Sequence, residues 1–379
     1  MDTDNRTMNE SGSFKILMGM PRPGIPGGPQ GHLPLLVADL RRRGNAIVEE
    51  EYGNPGGSPR LPARLAHVLT TALRFRRAQR KEKPDIIQLN TSFDLKALLR
   101  DLTVTMFLRR DKSDIILKFH GSDLRLVKSK NPLEQLAVHM LADRVDAIAV
   151  LSSEERMAFV EAGIDEEKVF VVKNVIDPSL YDVDSGFRNR NGFPPSVPIV
   201  LFAARFIREK GLLDVIRAGN IVLQKGYALC LVFCGDGPLR KEAETEVEQL
   251  GMNDHVRFVG QIPEFRMREY YANATMLAFP TYHQEGFPMV VFQSVAAGIP
   301  VITTRIRAAA DYLSEPENCL WVWPRNPEQL AGKMIHLIQN PDLCARVGHC
   351  NRKLARQFTS SIVAEEFLSL YGQIRAHTN

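Results

Sequence analysis

Short β-rich runs alternate with longer amphipathic stretches along most of the chain: FKILMGM from Phe14, DIIQLN from Asp85, DIILKFH from Asp114, AIAVL from Ala147 and VFVVKN from Val169. Strands separated by a helix's length of chain cannot close as hairpins, so they pair in parallel while the helices cover the sheet faces. That order predicts an α/β chain of doubly wound parallel sheets. One crossover helix is legible between the first two runs in HLPLLVADLRRRGN, where Leu36 and Leu40 face in, the arginines face out and Gly44 ends the element. The rhythm breaks after Asn174 and through RNRNGFPPSVP, which reads as a connector, then restarts with PIVLFAA, ALCLVFCG, VRFVG, MLAFP, PVITT and LWVWP. Two domains are therefore expected, over residues 14–180 and 197–357, joined by residues 181–196. Residues 358–379 are expected as a closing helix, with Val363, Phe367, Leu370, Tyr371 and Ile374 on one face, that crosses back over the domains.

Composition narrows the class. With 44% apolar and 24% charged residues the chain has the make-up of a packed enzyme, and a net charge of +4 over 379 residues does not announce a nucleic-acid binder. The opening MDTDNRTMNESGS is polar, and no apolar run approaches the ~18 residues of a membrane span, so a cytoplasmic location is expected. The five cysteines form no CxxC pair and read as reduced thiols, not as a disulfide framework or zinc site. Charge is uneven, however. Arg60, Arg64, Arg74, Arg76, Arg77, Arg80, Lys81 and Lys83 stand against Glu82 alone, interleaved with Leu65, Val68, Leu69, Leu73 and Phe75. This pattern suits either a helix lying peripherally on anionic lipid at the inner membrane face or an ordinary helix with a basic face in water.

Ligands of doubly wound sheets bind beyond the carboxyl ends of the strands, and two such domains in tandem are expected to share a crevice there. FAARFIREKG places Arg205 and Lys210 where a strand turns into a helix, as a diphosphate requires: a planar guanidinium fork, a compact ammonium and free helix N–H groups. VFCGDGP sets Gly235 and Gly237 around Asp236, a turn at which the backbone can approach a ligand. In TYHQEGFPMVVFQSVAAGIPVITT, Glu285 and Gly286 precede a helical stretch carrying Gln293 two turns on. Pro288 suits its first turn, and the N–H groups around Phe287, Met289 and Val290 can face an anion. The amino-terminal half adds PGIPGGPQGH, with Gly27 and Gly28, and FHGSD, with His120. Each motif alone has a plain structural alternative: solvated cations, an ordinary glycine turn, a dipole-complementing glutamate, a strand-end histidine. No GxGxxG or Walker motif occurs, which discounts NAD and ATP and leaves no cofactor expected. The DxD of Asp182 and Asp184 lies in the connector and reads as a solvated turn, so no metal is expected.

Taken together, the GG loop before HLPLLVADLRRRG, HGSD, AVLSSEE, VVKNVID, RFIREKG, VFCGDGP, VRFVGQIP and EGFPMVVFQSVAAGIPVI resemble glycosyltransferase family 4, also called group 1. The resemblance implies the GT-B fold, two Rossmann-like domains facing a cleft. It implies transfer of a sugar from a nucleotide diphosphate donor, UDP- or GDP-linked, to a glycan or lipid-linked acceptor, with retention at the anomeric carbon and no required metal. By the same resemblance Arg205 and Lys210 would hold the diphosphate, and Glu285 would bond donor-sugar hydroxyls beside the N–H groups of Gly286 and Phe287. His120 would lie near the sugar and the Gly27–Gly28 loop near phosphate and acceptor.

Two positions depart from the family pattern. Its second glutamate, usually bonded to the ribose diol, is Gln293 here; an amide offers one acceptor and one donor group where a carboxylate offers two acceptor oxygens, at a cost of about 1 kcal/mol. Where the family commonly carries a glycine pair, this chain has Arg307 and Ala308. These departures motivate an alternative expectation, a non-catalytic subunit that binds nucleotide without turnover.

Overall fold

The computed structural model describes residues 13–22, 28–53, 60–109 and 112–378. The described chain divides into two units. One comprises residues up to Val175 together with those from Ser360, and the other runs from Ile176 to Thr359.

The first unit is built on β1 (Lys15–Met20), β2 (Ala46–Glu51), β3 (Ile86–Phe93), β4 (Asp114–Ser122), β5 (Ala147–Val150) and β6 (Val169–Val171). All pair in parallel, in the order β2-β1-β3-β4-β5-β6. The connections carry α1 (Gly28–Arg42), α2 (Leu61–Glu82), α3 (Leu95–Phe107), the single turn α4 (Leu124–Val127), α5 (Pro132–Asp143) and α6 (Ser153–Glu161). One face of the sheet is covered by α2, α3, α5 and α6, which contribute Phe75, Leu98, Val138 and Phe159 to its core. Local chemistry starts several of these helices. Asp94 accepts from the N–H groups of Lys96 and Ala97 at 2.9 and 3.0 Å, and in AVLSSEE the Ser152 hydroxyl accepts from Glu155 N–H while the Glu155 carboxylate turns back onto Leu151 N–H. Such caps each contribute about 1 kcal/mol by satisfying orphan donors.

The strand rhythm in the sequence passed over β2. AIVEEE is an edge strand with no fully buried residue, and its glutamates pair with Arg41 and Arg74 at 2.8 and 3.1 Å, so it lacks the apolar run that marks its neighbours. The helix read from HLPLLVADLRRRGN therefore leads into β2, and α2 makes the return to β3.

The second unit opens with the turn α7 (Phe187–Arg190) and contains β7 (Ile199–Ala203), α8 (Leu212–Gln224), β8 (Cys230–Cys234), α9 (Arg240–Gln249), β9 (Val256–Gly260) and α10 (Glu264–Asn273). It continues through β10 (Met276–Phe279), α11 (Met289–Ala297), β11 (Val301–Thr303), α12 (Arg307–Tyr312), β12 (Cys319–Trp321), α13 (Pro327–Gln339) and α14 (Pro341–Ala355). Its parallel strands run in the order β12-β11-β10-β7-β8-β9, the doubly wound order whose direction of growth reverses between β7 and β10. Residues 181–196 fold onto this unit: Phe187 is buried, with its ring edge-on to Tyr270 at 5.1 Å.

The last helix, α15 (Ser360–Thr378), belongs to the first unit. Its Phe367, Leu370, Tyr371 and Ile374 share a core with Phe14, Leu36 and Leu40 on the face of the sheet opposite α2. Arg43 donates to the Ser361 hydroxyl at 2.7 Å, and Arg375 pairs with Asp85 at 2.9 Å. Among the described residues no helix is long and apolar enough to cross a membrane. Cys230, Cys234 and Cys319 are buried free thiols, and burial raises their pKa values.

Candidate functional site

In the second unit the reversal of strand order brings the loop after β7 beside the loop after β10. A short 3-10 turn, Arg208–Lys210, delivers Lys210, and Gly211 follows with φ of +81°. A Cβ on Gly211 would meet the Pro280 carbonyl at 2.8 Å, so glycine is what lets the two loops touch. The Glu209 carbonyl ties them further, accepting from the N–H groups of Tyr282 and His283 at 2.8 and 3.1 Å. Across this seam the Lys210 ammonium donates to the Glu285 carboxylate, with both side chains largely buried and the ammonium 5.7 Å from the Phe279 ring centre. Arg205 is exposed on the same loop, and its guanidinium reaches no hydrogen-bond partner among the described residues.

The glycines of GDG serve this seam first. A Cβ on Gly235, where φ is +139°, would lie 1.9 Å from the Ala204 carbonyl oxygen, and one on Gly237 would lie 2.7 Å from that of Phe206. The backbone that comes close is the Arg205 loop, locked by Phe206 N–H donating to the Asp236 carbonyl at 2.8 Å. Asp236 itself accepts from the Gly237 N–H at 2.7 Å.

After Glu285 the chain enters α11, with Pro288 as its N-cap, one position earlier than the first-turn place expected of it. Pro288 offers this end no side-chain cap, and Met289 and Val290 form the first turn. Phe287 is buried and stacked on Phe292 with ring centres 3.8 Å apart, which holds the Gly286–Phe287 backbone in place; the Gly286 carbonyl accepts from Ala308 N–H at 3.3 Å. Gln293, 8% exposed, donates from Nε2 to the Glu264 carboxylate at 2.6 Å. An anionic oxygen thus stands one hydrogen bond from the position where the family pattern carries its second glutamate. Arg307 is buried with φ of +46°, so the turn keeps a glycine-like backbone without the glycine.

The sequence reading missed Glu264, which shows only as the first residue of an amphipathic helix, and His283. His283 lies among Lys210, Glu285, Arg205 and Glu209; burial foremost, then Lys210, lowers its pKa, and its Nδ1 has no hydrogen-bond partner among the described residues.

In the first unit His120 stands near the carboxyl end of β4, its Nε2 3.1 Å from Oδ1 of Asn90 and its ring centre 5.1 Å from that of His32. His32, in the early part of α1, is 3% exposed, and neither of its ring nitrogens has a hydrogen-bond partner among the described residues. Burial and the nearby Lys118 push its pKa down to about 3; burial, His32 and Lys118 hold His120 well below its ordinary value. Both rings are therefore neutral at physiological pH. A separate cavity of about 510 Å³ is lined by Met20, Pro21, Gln30, Pro34 and the glutamates of β2. Gly27 lies outside the described residues, and Gly28 marks only the backbone start of α1. Asp184 of the DxD pairs with Arg190 and accepts from Gly186 N–H at 2.8 Å.

Comparison with known proteins agrees with this architecture. The model of the glycosyl transferases group 1 matches residues 184–354, and that of Glycosyltransferase Family 4 matches residues 30–180. The chain is 29% identical over 213 residues to the glycosyltransferase MJ1607 of Methanocaldococcus jannaschii, covering 54% of each chain. It is 28% identical over 179 residues to the capsular polysaccharide biosynthesis glycosyltransferase CapM of Staphylococcus aureus, covering 46% of this chain and 45% of the relative. The chain thus spans about half the length of these curated relatives. Among solved structures, Alr3699/HepE of Anabaena, in complex with UDP and glucose, superposes with a TM-score of 0.74 at 18% identity, covering 95% of this chain and 99% of that one. With two six-stranded parallel sheets in the GT-B manner and family models matching both halves, the chain belongs to the group 1 glycosyltransferases of family 4.

Proposed function

We propose that the chain transfers a glycosyl group from a UDP- or GDP-sugar to a hydroxyl of a glycan or lipid-linked acceptor in polysaccharide or glycolipid synthesis. In this reading it acts with retention and without a metal, in the cytoplasm and peripherally on the inner membrane face. The observation that carries the reading is the Lys210–Glu285 pair at the reversal point of the second sheet. Lys210 and the exposed Arg205 offset the charge that grows on the departing diphosphate, and fixed cations of this kind are effective because they need no reorganisation as the bond breaks. Glu285, oriented by Lys210, accepts hydrogen bonds from donor-sugar hydroxyls, with the backbone of Gly286 and Phe287 alongside. The leaving phosphate oxygen takes the acceptor's proton, so no protein base is required, and neutral His120 contributes a hydrogen bond near the sugar. The UDP and glucose bound in the Anabaena structure support the donor class, and CapM's role in capsular polysaccharide synthesis supports the acceptor class. The cavity beside β2 is the acceptor side of this proposal.

The test is a thermal-shift panel of UDP, GDP, ADP and dTDP, each with and without EDTA, on wild type and Lys210→Ala. One nucleotide should raise the midpoint by a few degrees, unaffected by EDTA and lost in the variant. No shift from any of them removes the donor assignment. A non-catalytic subunit, the reading that Gln293 and Arg307 favour, would shift with nucleotide yet show no Glu285-dependent turnover of the donor.

A further inference from the structure

A row of polar side chains crosses the buried face of the first sheet and ends at His120. On β3 and β4 alternate residues point to one face, so Gln88 and Asn90 lie with Ile86, and His120 with Ile116, on the face that α1 and α15 cover. Gln88 and Asn90 are 0% and 5% exposed, and Tyr371 of α15 is wholly buried against Gln88. Apolar residues would fill these places without the cost of desolvating two amides, so the row calls for a reason beyond packing.

The hydrogen bonds of the row run in one direction because one of its partners has no choice. The main-chain carbonyl of Gly19 can only accept, so the atom of Asn90 that faces it at 2.9 Å is the amide nitrogen Nδ2. Oδ1 is then turned the other way, and its two lone pairs take Gln88 Nε2 at 3.2 Å and His120 Nε2 at 3.1 Å. Gln88 is oriented in turn by Tyr371, whose hydroxyl donates to its Oε1. An accepting oxygen needs a hydrogen opposite it, so His120 carries its proton on Nε2. Burial first, then His32 of α1 and Lys118 of its own strand, keep the ring neutral, against the side chain of Asn174, which favours the charged form. A neutral imidazole holds one ring proton, so with Nε2 protonated the other nitrogen, Nδ1, is a bare acceptor; it has no hydrogen-bond partner among the described residues. The nitrogen that bears the proton decides whether a histidine gives or takes a hydrogen bond on its free side, and here the main chain of β1 decides it through one amide.

We propose that Asn90 is a positioning residue for glycosyl transfer: it holds His120 with its proton on Nε2, so that Nδ1 accepts a hydrogen bond from a hydroxyl of the transferred sugar. The inference rests on the place given to His120 in the proposed function, and it adds the direction of that hydrogen bond and the residue that sets it. Nitrogen NMR of the full chain with isotope-labelled histidine reads the tautomer directly, because protonated and bare ring nitrogens resonate far apart, and the signals lost in His120→Gln identify the ring. Wild type should show Nε2 protonated and Nδ1 bare. Asn90→Leu, similar in size but without an acceptor, should move a large share of the proton to Nδ1. It should also lower kcat/KM for the UDP- or GDP-sugar that wild type turns over by about tenfold, the scale of one hydrogen bond withdrawn. Asn90→Asp, whose protonated carboxyl can keep an oxygen opposite Nε2 and a donor opposite Gly19, should keep the wild-type tautomer and recover most of the loss. Asn90 lies in the first unit and Lys210 in the second, so both variants should keep the nucleotide-induced thermal shift. A proton on Nδ1 in wild type overturns the proposal, as does an Asn90→Leu spectrum indistinguishable from wild type. A changed tautomer with unchanged turnover also overturns it, returning the row to the packing of the sheet. Wild type that turns over no UDP- or GDP-sugar overturns the transfer reading instead, and the spectra still decide the tautomer.

Discussion

Glu264 and Gln293 form a unit in which an amide does what a second carboxylate could not. Two carboxylates at their 2.6 Å spacing would repel, so Gln293→Glu alone should weaken nucleotide binding, while Glu264→Gln should weaken it several-fold through loss of the anionic acceptor. The double exchange, Glu264→Gln with Gln293→Glu, should recover most of the loss; nucleotide titration calorimetry on the three variants checks this non-additivity. Gly235 makes a stability prediction. With 1.9 Å between its would-be Cβ and the Ala204 oxygen, Gly235→Ala should cost at least about 2 kcal/mol, read from urea denaturation. The histidine pair makes a prediction about acid. Folded His32 and His120 titrate below the ordinary imidazole value of about 6.5, so the unfolded chain takes up protons first as pH falls. Their contribution is fully present above that value and is lost towards their folded pKa values, at up to about 1.4 kcal/mol per pH unit for each ring. Urea midpoints between pH 7 and 5 should therefore drop faster in wild type than in His32→Asn. Arg205, Lys210 and Glu285 were legible as candidates because charge next to a strand-end turn is a local pattern. Glu264 and His283 were not, because their significance lies in neighbours distant along the chain.

Among the elements, α15 shows most clearly how a segment takes its role from where it packs. Its apolar face was readable from spacing, but spacing does not say which sheet it covers; Tyr371 meets Phe14 edge-on at 5.7 Å and its hydroxyl donates to Gln88, both at the far end of the sequence. A chain ending at Thr359 should leave Phe14, Leu36 and Leu40 uncovered and lose the thermal transition of the first unit, which circular dichroism and limited proteolysis would report. Strand β2 is the converse case. An edge strand of glutamates carries little hydrophobic signal, so only its pairing with β1 identifies it.

On the scale of the whole molecule, the chain leaves the first unit at Val175 and returns at Ser360, so the second unit is an insertion that closes on itself between them. Nucleotide should accordingly protect it selectively. UDP at about 100 times its dissociation constant adds roughly 2.7 kcal/mol, and hydrogen exchange should slow in the segments around Arg205–Gly211 and Glu285–Gln293 while α1 and α15 change little. The alternation of strand-like and helical runs, the connector's turn chemistry and the charged strand-end loops belong to the sequence by itself, because period and turn preference are properties of a few consecutive residues. Tertiary structure alone decided that β7 lies beside β10, which joins Lys210 to Glu285 across 75 positions. It also decided that the GDG glycines admit the Arg205 loop and that Gln293 finds Glu264. Strand order and helix docking minimise exposed apolar surface over the whole unit, and no local window of sequence contains that sum.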